Sequence, residues 1–516
     1  MTTLADIDIY SHSVRWKTRH PLLVSHLSHY VKNHFAQWER RPVGFYSGRR
    51  QFKNMIARYF IGMTHTKTVF WFHRNDLSYL QDFLRNKGFG DHHFSITDHS
   101  LSSIETISLN YHDERTPYPD QKKVIDYILS PGKTKVVTLE PGRGKTFIAL
   151  RAINELKVRS VFIIKPMYLR KWVLDIQEAF SIDQKDIRVV QGSPELKKLI
   201  EDAVEGLHLS PFILISNKTF LRFLKTYETE YPHHKEYGYG CSPIEFLPLL
   251  KAGIRVIDEV HQDFHLAFRI DLYSHVPKTL SMSGTLISDD PFIRKMYEVM
   301  FPIHSRLHVN TKDVYVTAEA LLYSIEHVNQ RINCINPSLQ VYSHVRFEQS
   351  ILNNKGLTLR YFNFIEDIVN SKFMMEKEPG QRLIVYFSTI QMCTLFTQYL
   401  KRFYPDEKIY RYIGEDDYDE MMEHEVIIST IKSLGTAFDV PGLYKIINTD
   451  SVSSSQANYQ LIGRLRRLKE WPEVTPEFLY LVCVDIPKQM KYFRKRQRLF
   501  ADRVLEHKST YTHVVL

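Results

Sequence analysis

The sequence predicts an α/β chain: two parallel-sheet domains in tandem, with a small basic α/β domain in front of them. Three observations predict it. From Tyr111 onward, short runs rich in Val and Ile alternate with amphipathic helical stretches, the pattern of parallel strands covered by helices. The alternation comes in two sets, separated by a Pro/Gly-poor stretch near 303–345. The chain of 516 residues is also longer than a single hydrophobic core organises. The expected boundaries are 1–105 for the N-terminal domain, 106–305 for the first sheet domain, 306–345 for a connector and 346–516 for the second sheet domain.

Composition narrows the class. A chain that is 43% hydrophobic and 24% charged builds real cores. No apolar run reaches the ~18–20 residues of a membrane span, and the N-terminus lacks a signal-peptide pattern. Cys241, Cys334, Cys393 and Cys483 lie far apart and form no metal-ligand pair, which fits a reducing cytoplasm. The net charge of +10 points to a polyanionic partner.

Within residues 1–100, 14 Lys/Arg stand against 7 Asp/Glu, a balance of +7. Val69–Phe72 reads as a strand. Asp76 precedes a helix with Leu77, Leu80, Phe83 and Leu84 on one face, stopped by Gly88. His92 and His93 lack ligand spacing and read as solvent-facing. Basic residues interleave with aromatics at Trp38-Glu-Arg40-Arg41 and Phe45-Tyr-Ser-Gly-Arg49-Arg50, which makes Arg40, Arg41, Arg49 and Arg50 candidate nucleic-acid contacts. The plainer reading is a folding cap, its aromatics in the core and its charges in solvent.

In the first set the expected strands are Val136–Leu139, Val161–Ile164, Phe212–Ile215, Arg255–Ile257 and Thr279–Met282, and ligands in such sheets sit at the carboxyl ends of strands. Thr226–Leu250, rich in Tyr, His and Pro, reads as a surface loop and helix. The strand from Val136 breaks at Pro141-Gly142-Arg143-Gly144, and Lys145-Thr146 opens an apolar helix through Ile148, Ala149 and Ile153. Backbone N–H groups at such a helix start point at an anion. Lys145 is placed to reach β- and γ-phosphates, and the Thr146 hydroxyl to hold Mg²⁺. A full P-loop has a further glycine where Leu139 stands. Asp258-Glu259 closes another apolar strand, 113 residues beyond Lys145 (258 − 145). Asp258 would complete the Mg²⁺ shell and Glu259 would polarise an attacking water.

The pairing of these two motifs resembles a superfamily 2 helicase of the DExH type, here with a DEVH box at Asp258-Glu259-Val260-His261. The resemblance covers about residues 111–485 and implies two RecA-like motor domains that use ATP and Mg²⁺. It also assigns roles in chain order. Gln121 reads adenine in the glutamine motif. Lys165 and Pro166 (motif Ia) and Lys218 and Thr219 (motif Ib) contact the nucleic-acid backbone. Ser281, Ser283 and Thr285 (motif III), with His261, couple hydrolysis to movement. In the second set, whose strands are expected at Leu383–Phe387, Ile409–Ile413, Val426–Ser429, Lys445–Ile447 and Phe478–Val482, Ser388 (motif IV) and Thr430 (motif V) would grip nucleic acid. Gly435 and Asp439 of motif V would meet the nucleotide. Gln460, Arg464 and Arg467 (motif VI) would act in catalysis, the two arginines three apart and so expected on one helix face. Motif V departs from the family in having Ala437 where a glycine is usual.

Within the superfamily the layout is most similar to phage UvsW-type recombination helicases, which act on branched DNA. That implies a monomeric DNA helicase or translocase on branched, forked or duplex DNA, in the host cytoplasm if phage-encoded. The alternatives are an RNA helicase, a duplex translocase that never separates strands, and a nucleic-acid-binding scaffold switched by ATP. Glu259, Gln460 and the two arginines argue against the scaffold, which needs binding but not turnover. The C-terminal helix, Lys488 to Arg503, is covered by no motif.

Overall fold

The computed structural model describes residues 3–516 apart from 47–48, 100, 102–104, 141, 310–313, 339, 415 and 435–439. The chain opens with β1 (Ala5–Ile9), β2 (Ser13–Lys17), α1 (Pro21–His34), β3 (Ala36–Tyr46), β4 (Arg49–Tyr59), β5 (Gly62–Met63), β6 (Val69–His73), α2 (Leu77–Arg85) and β7 (Phe94–Asp98). Five of these strands form a mixed sheet in the order β5-β6-β2-β1-β7, while β3 and β4 pair separately as a two-stranded ribbon. All five residues of β6 are buried, which is why its sequence is continuously apolar rather than alternating. Asp76, at the start of α2, does not cap the helix but accepts a hydrogen bond from Tyr30 Oη at 3.0 Å, and burial pushes its carboxyl up to about 7.

The first parallel sheet follows: α3 (Pro119–Leu129), β8 (Thr134–Thr138), α4 (Lys145–Leu156), β9 (Ser160–Ile164), α5 (Pro166–Phe180), β10 (Ile187–Val190), α6 (Ser193–Val204), β11 (Phe212–Ser216), α7 (Asn217–Glu230), α8 (His234–Tyr237), α9 (Pro243–Leu249), β12 (Ile254–Ile257), α10 (Phe264–Leu272), β13 (Lys278–Ser283), α11 (Pro291–Met300) and β14 (Arg306–His308). Its seven strands run parallel in the order β10-β11-β9-β12-β13-β8-β14. Residues 226–250, expected at the surface, instead send Tyr227, Tyr239, Cys241, Phe246 and Leu247 into the core. Aromatic residues with polar tips packed there read as surface composition in the sequence.

The opening strands and the first sheet form one compact unit, Met1–Val43 with Gln51–Asn310. One apolar core runs through both. The Phe60 ring lies 5.3 Å from Phe268 and 5.3 Å from Phe292, and Trp71 lies 5.0 Å from Tyr273. A buried ionic cluster crosses the same seam. Asp271 accepts from Arg255 Nη2 and pairs with His73 Nε2, both at 2.8 Å. Burial alone would raise the Asp271 carboxyl, but Arg255 and the neighbouring histidines hold it far below the usual range.

The second unit comprises Gly44–Arg50 and Thr311–Leu516. It contains β15 (Thr317–Ser324), α12 (Val328–Arg331), α13 (His344–Leu352), α14 (Lys355–Val369), β16 (Arg382–Phe387), α15 (Ile390–Phe403), β17 (Ile409–Tyr412), α16 (Tyr418–Met421), β18 (Val426–Thr430), β19 (Leu443–Asn448), α17 (Ser455–Ile462), β20 (Glu477–Cys483), α18 (Pro487–Phe500) and β21 (His507–Val515). Again seven strands run parallel, in the order β17-β18-β16-β19-β20-β15-β21. Alternate residues of β16 feed opposite cores: Leu383, Val385 and Phe387 one, Ile384 and Tyr386 the other. The connecting stretch 306–345 thus contributes β14 to the first sheet and β15 to the second. Two all-parallel sheets with flanking helices are the tandem RecA-like architecture, with the N-terminal α/β elements beside the first.

Candidate active site

The glycine turn after β8 is built for close backbone approach. Gly142 (φ +84°) and Gly144 (φ +77°) both adopt left-handed backbone that a side chain would strain. A Cβ on Gly144 would sit 2.6 Å from Gln121 Nε2. Gly144 is the N-cap of α4, whose first turn, beginning Lys145-Thr146, carries no acidic residue. That helix start offers its N–H groups and partial positive charge to an anion. Gln121 braces the turn from α3: its Nε2 donates to Arg143 O at 3.2 Å, and its Oε1 accepts from Tyr118 N at 3.0 Å.

Strand order brings the other groups alongside. β13 lies between β8 and β12, with Ser283 paired to Thr138 and Ser281 to both Val136 and Ile257. The carboxyl ends of all three strands therefore meet. Lys145 Nζ pairs with Glu259 Oε1, and both side chains are nearly buried. Glu259 itself holds a left-handed φ of +47°, uncommon for a residue with a side chain. Its Oε2 accepts from Gly284 N at 3.4 Å and lies 3.4 Å from His261 Nδ1. His261 Nδ1 is 2.6 Å from Ser283 Oγ, and that hydroxyl donates to Thr285 O, so the imidazole is assigned as the donor. The acidic segment and the Ser283–Thr285 turn are wired together through one imidazole.

Electrostatics separates the two acids. Burial raises the Asp258 carboxyl, and the adjacent Glu259 charge adds to it. Burial would raise Glu259 as well, but the Lys145 ammonium outweighs it and holds the group below its usual value. Burial drives His261 down to about 4, so it is neutral at pH 7. Asp258 Oδ1 accepts from Glu259 N at 2.9 Å and Oδ2 from Trp172 Nε1 at 3.2 Å. The Thr146 hydroxyl and Asp258 carboxylate are hard oxygen donors of the kind Mg²⁺ takes, beside a glycine cradle and a lysine that suit a polyphosphate. The residues fit a magnesium nucleotide.

The remaining predicted residues divide by what their side chains touch. Lys165 is the N-cap of α5 with Pro166 following, and its Nζ lies 3.2 Å from Asp263. Lys218 is exposed at the start of α7. Thr219 is buried and its Oγ1 accepts from Gly192 N at 2.8 Å, while Ser281 is buried inside β13. In the second unit, Ser388 N donates to Glu348 Oε1 at 2.7 Å. Thr430 Oγ1 donates to Ser433 Oγ at 2.8 Å and accepts from Ser433 N, closing the turn after β18. Gly435 and Asp439 lie outside the described residues. Gln460 is on α17, but that helix ends at Ile462 with Gly463 as its cap. Arg464 and Arg467 therefore follow the helix instead of sharing a face of it. Arg464 Nη2 donates to Leu434 O, and the Arg467 guanidinium stacks 5.2 Å from the Tyr315 ring. On the ribbon, Arg40 and Arg41 are exposed, with Arg40 5.0 Å from the Phe52 ring and Arg41 paired to Glu39 at 3.2 Å. The Arg49 and Arg50 side chains lie outside the described residues. Sequence reasoning missed Trp172 as the partner of Asp258.

No protein-family model matches the chain, and the comparison with curated proteins gives no match. Solved structures do resemble it. The crystal structure of T4 UvsW is similar over 99% of this chain and 100% of that one, at 13% identity and a TM-score of 0.32. S. cerevisiae Dbp5 bound to RNA and ADP BeF3 is similar over 77% and 91%, at 14% identity and a TM-score of 0.47. The Pyrococcus furiosus Hef helicase domain is similar over 76% and 100%, at 12% identity and a TM-score of 0.43. The solved structures to which this chain is similar thus include T4 UvsW and the Hef helicase domain.

Proposed function

We propose that the chain is an ATP-dependent nucleic-acid helicase or translocase, and that its substrate is branched, forked or duplex DNA. The observation that carries this reading is the meeting of Lys145, Thr146, Asp258, Glu259, His261 and Ser283 at the carboxyl ends of three adjacent parallel strands. Thr146 and Asp258 would hold Mg²⁺, which when bound would supply charge neutralisation at the nucleotide's phosphates. Lys145 neutralises the same oxygens from the glycine turn. Glu259 orients and deprotonates the attacking water, a role that suits a carboxylate kept ionised by a neighbouring ammonium. His261 and Ser283 pass a change at Glu259 to the Ser283–Thr285 turn. By the family resemblance Gln460, Arg464 and Arg467 act in catalysis, the two arginines supplying positive charge that the transferring phosphoryl group requires. Lys165, Pro166, Lys218, Thr219, Ser388 and Thr430 lie in the segments that contact the nucleic-acid backbone, which gives movement without sequence preference. Among them Lys218 is exposed. The exposed, basic ribbon of β3 and β4 selects the branched or duplex form.

The test is ATP turnover measured with single-stranded, duplex, forked and four-way DNA and with RNA. Stimulation by branched or duplex DNA above the others supports the reading. Stimulation by RNA alone replaces DNA with RNA as substrate, and turnover indifferent to every nucleic acid overturns it.

A further inference from the structure

Helix α5 meets the acidic segment and the glycine turn along a single line of side chains. Lys165, at its cap, lies 3.2 Å from Asp263. Tyr168 Oη donates to Gln262 Oε1 at 2.8 Å. Trp172 Nε1 donates to Asp258 Oδ2 at 3.2 Å. Asp175 faces the Thr146 hydroxyl, which offsets part of the rise that burial brings to its carboxyl. Tyr168, Trp172 and Asp175, four and three residues apart, share one helix face, and Lys165 caps the helix start. A helix covering a parallel sheet needs only apolar groups on its buried face. This one places an indole and a phenol there, each 1% exposed, and directs their polar atoms to the segment 258–263.

Two of the partners, Thr146 and Asp258, are the oxygen donors assigned to Mg²⁺ above. We propose that Trp172 and Asp175 are positioning residues for that divalent-cation site, an inference that rests on the nucleotide reading of the preceding section. In this proposal Asp175 draws the Thr146 hydroxyl proton towards itself, which would leave lone pairs in the other directions, the state in which the hydroxyl can ligate a cation. The Asp258 carboxylate is tethered at both oxygens, by Glu259 N and by the Trp172 indole, and neither donor carries a charge that would compete with a metal. Lys171, one position before Trp172, adds positive charge near both Asp258 and Asp175 and limits the repulsion between the two acids. Outer partners of this kind set ligand orientation, and losing one typically weakens metal binding 10- to 100-fold.

The experiment uses the full-length chain with Mn²⁺ as the probe, free Mn²⁺ being read by electron paramagnetic resonance in the presence of ADP. The affinity for ADP in EDTA is measured in parallel. Trp172→Phe removes the N–H and keeps a ring against Phe162, 4.9 Å away. Asp175→Ala removes the acceptor at a half-buried position, and Asp175→Asn restores an acceptor of the same shape. The expected result is Mn²⁺ affinity about 10-fold weaker in Trp172→Phe and Asp175→Ala, recovery towards the parent in Asp175→Asn, and metal-free ADP affinity unchanged in all three. Parental Mn²⁺ affinity in both Trp172→Phe and Asp175→Ala overturns the inference. So does an equal loss of Mn²⁺–ADP and metal-free ADP binding, which marks general damage to the site. If Trp172→Phe does not fold, the two Asp175 variants decide alone. A parent that binds neither ADP nor Mn²⁺–ADP overturns the nucleotide reading itself, an outcome distinct from a parent that binds both while its variants are unaffected.

Discussion

Replacing Glu259 with Gln separates the two tasks that the proposed function gives this residue. The amide keeps the volume and the hydrogen bond from Gly284 N but removes the charge that faces Lys145 and the basicity directed at water. Loss of a general base lowers the chemical step by about 10²- to 10⁴-fold. The ion pair gives a second, opposite effect. In the free protein Lys145 is engaged by Glu259, so nucleotide binding must draw the ammonium away from a nearly buried carboxylate. A hydrogen bond between charged groups contributes about 1.5–3 kcal/mol, and removing that competition strengthens ATP binding by about 10-fold or more. Leaving Lys145 buried without its carboxylate also destabilises the free protein, by up to about 3–5 kcal/mol, and bound nucleotide recovers much of that. The assays are single-turnover hydrolysis, titration with a fluorescent ATP analogue, and thermal unfolding with and without nucleotide. Turnover within a few-fold of the parent refutes Glu259 as the base. ATP affinity equal to the parent's, with hydrolysis lost, refutes the argument that the ion pair competes with phosphate.

Arg467→Ala should leave ATP affinity almost unchanged while kcat falls by about 10³-fold or more; a loss confined to ATP affinity, with kcat intact, removes Arg467 from the transition state. Substituting Arg40, Arg41, Arg49 and Arg50 together with Ala should weaken binding to forked and four-way DNA and flatten its salt dependence, while single-stranded DNA still stimulates turnover; an equal response of both substrates means the ribbon is not the selector. Glu348, fully buried, has its carboxyl pushed up to about 8 by burial against a usual 4.5. A raised folded-state pKa gives stability that is full below the unfolded value and is lost as pH rises towards 8, at most about 5 kcal/mol. Denaturant unfolding between pH 5 and pH 9 should therefore show a falling limb that is smaller in Glu348→Gln; an identical pH profile in that variant assigns the limb to other groups.

Much of the fold was legible because buried parallel strands write themselves as short Val/Ile-rich runs. Val161–Ile164 and Leu383–Phe387 are examples, each found within a residue or two of its observed limits. β10 and β14 were not legible: they lie at sheet edges, are only four and three residues long, and carry Arg188, Arg306 and His308, which break the apolar pattern. β21 escaped notice because it too is an edge strand, with most of its residues exposed or half-exposed. In the site, spacing alone marked Gly144, Lys145 and Asp258. The bracing of the glycine turn by Gln121, the link from His261 to Ser283 and the indole on Asp258 depend on contacts between residues 22 to 86 positions apart, and a single sequence carries no signal of such pairs. The end of α17 at Ile462 was misjudged because Leu465 and Leu468 continue the apolar pattern past Gly463 without continuing the helix.

The ionic cluster of Arg255, Asp271 and His73 has a practical bearing on how this protein is cut and on what its first hundred residues do. Arg255 sits in the strand that ends in Asp258 and Glu259, and its guanidinium is answered by an acid whose other oxygen belongs to His73. Trimming the chain at residue 105 would unroof that acid, strip the cover from Phe268 and Tyr273, and open to water the strand that ends in Asp258 and Glu259. The same anchoring denies the base of the β3–β4 ribbon any hinge of its own. Phe60, the residue that follows the ribbon's last, is packed among Phe264, Phe268 and Phe292. Whatever the ribbon's base holds is therefore kept at a fixed reach from the glycine turn, like one jaw of a caliper whose other jaw is the strand end at Glu259.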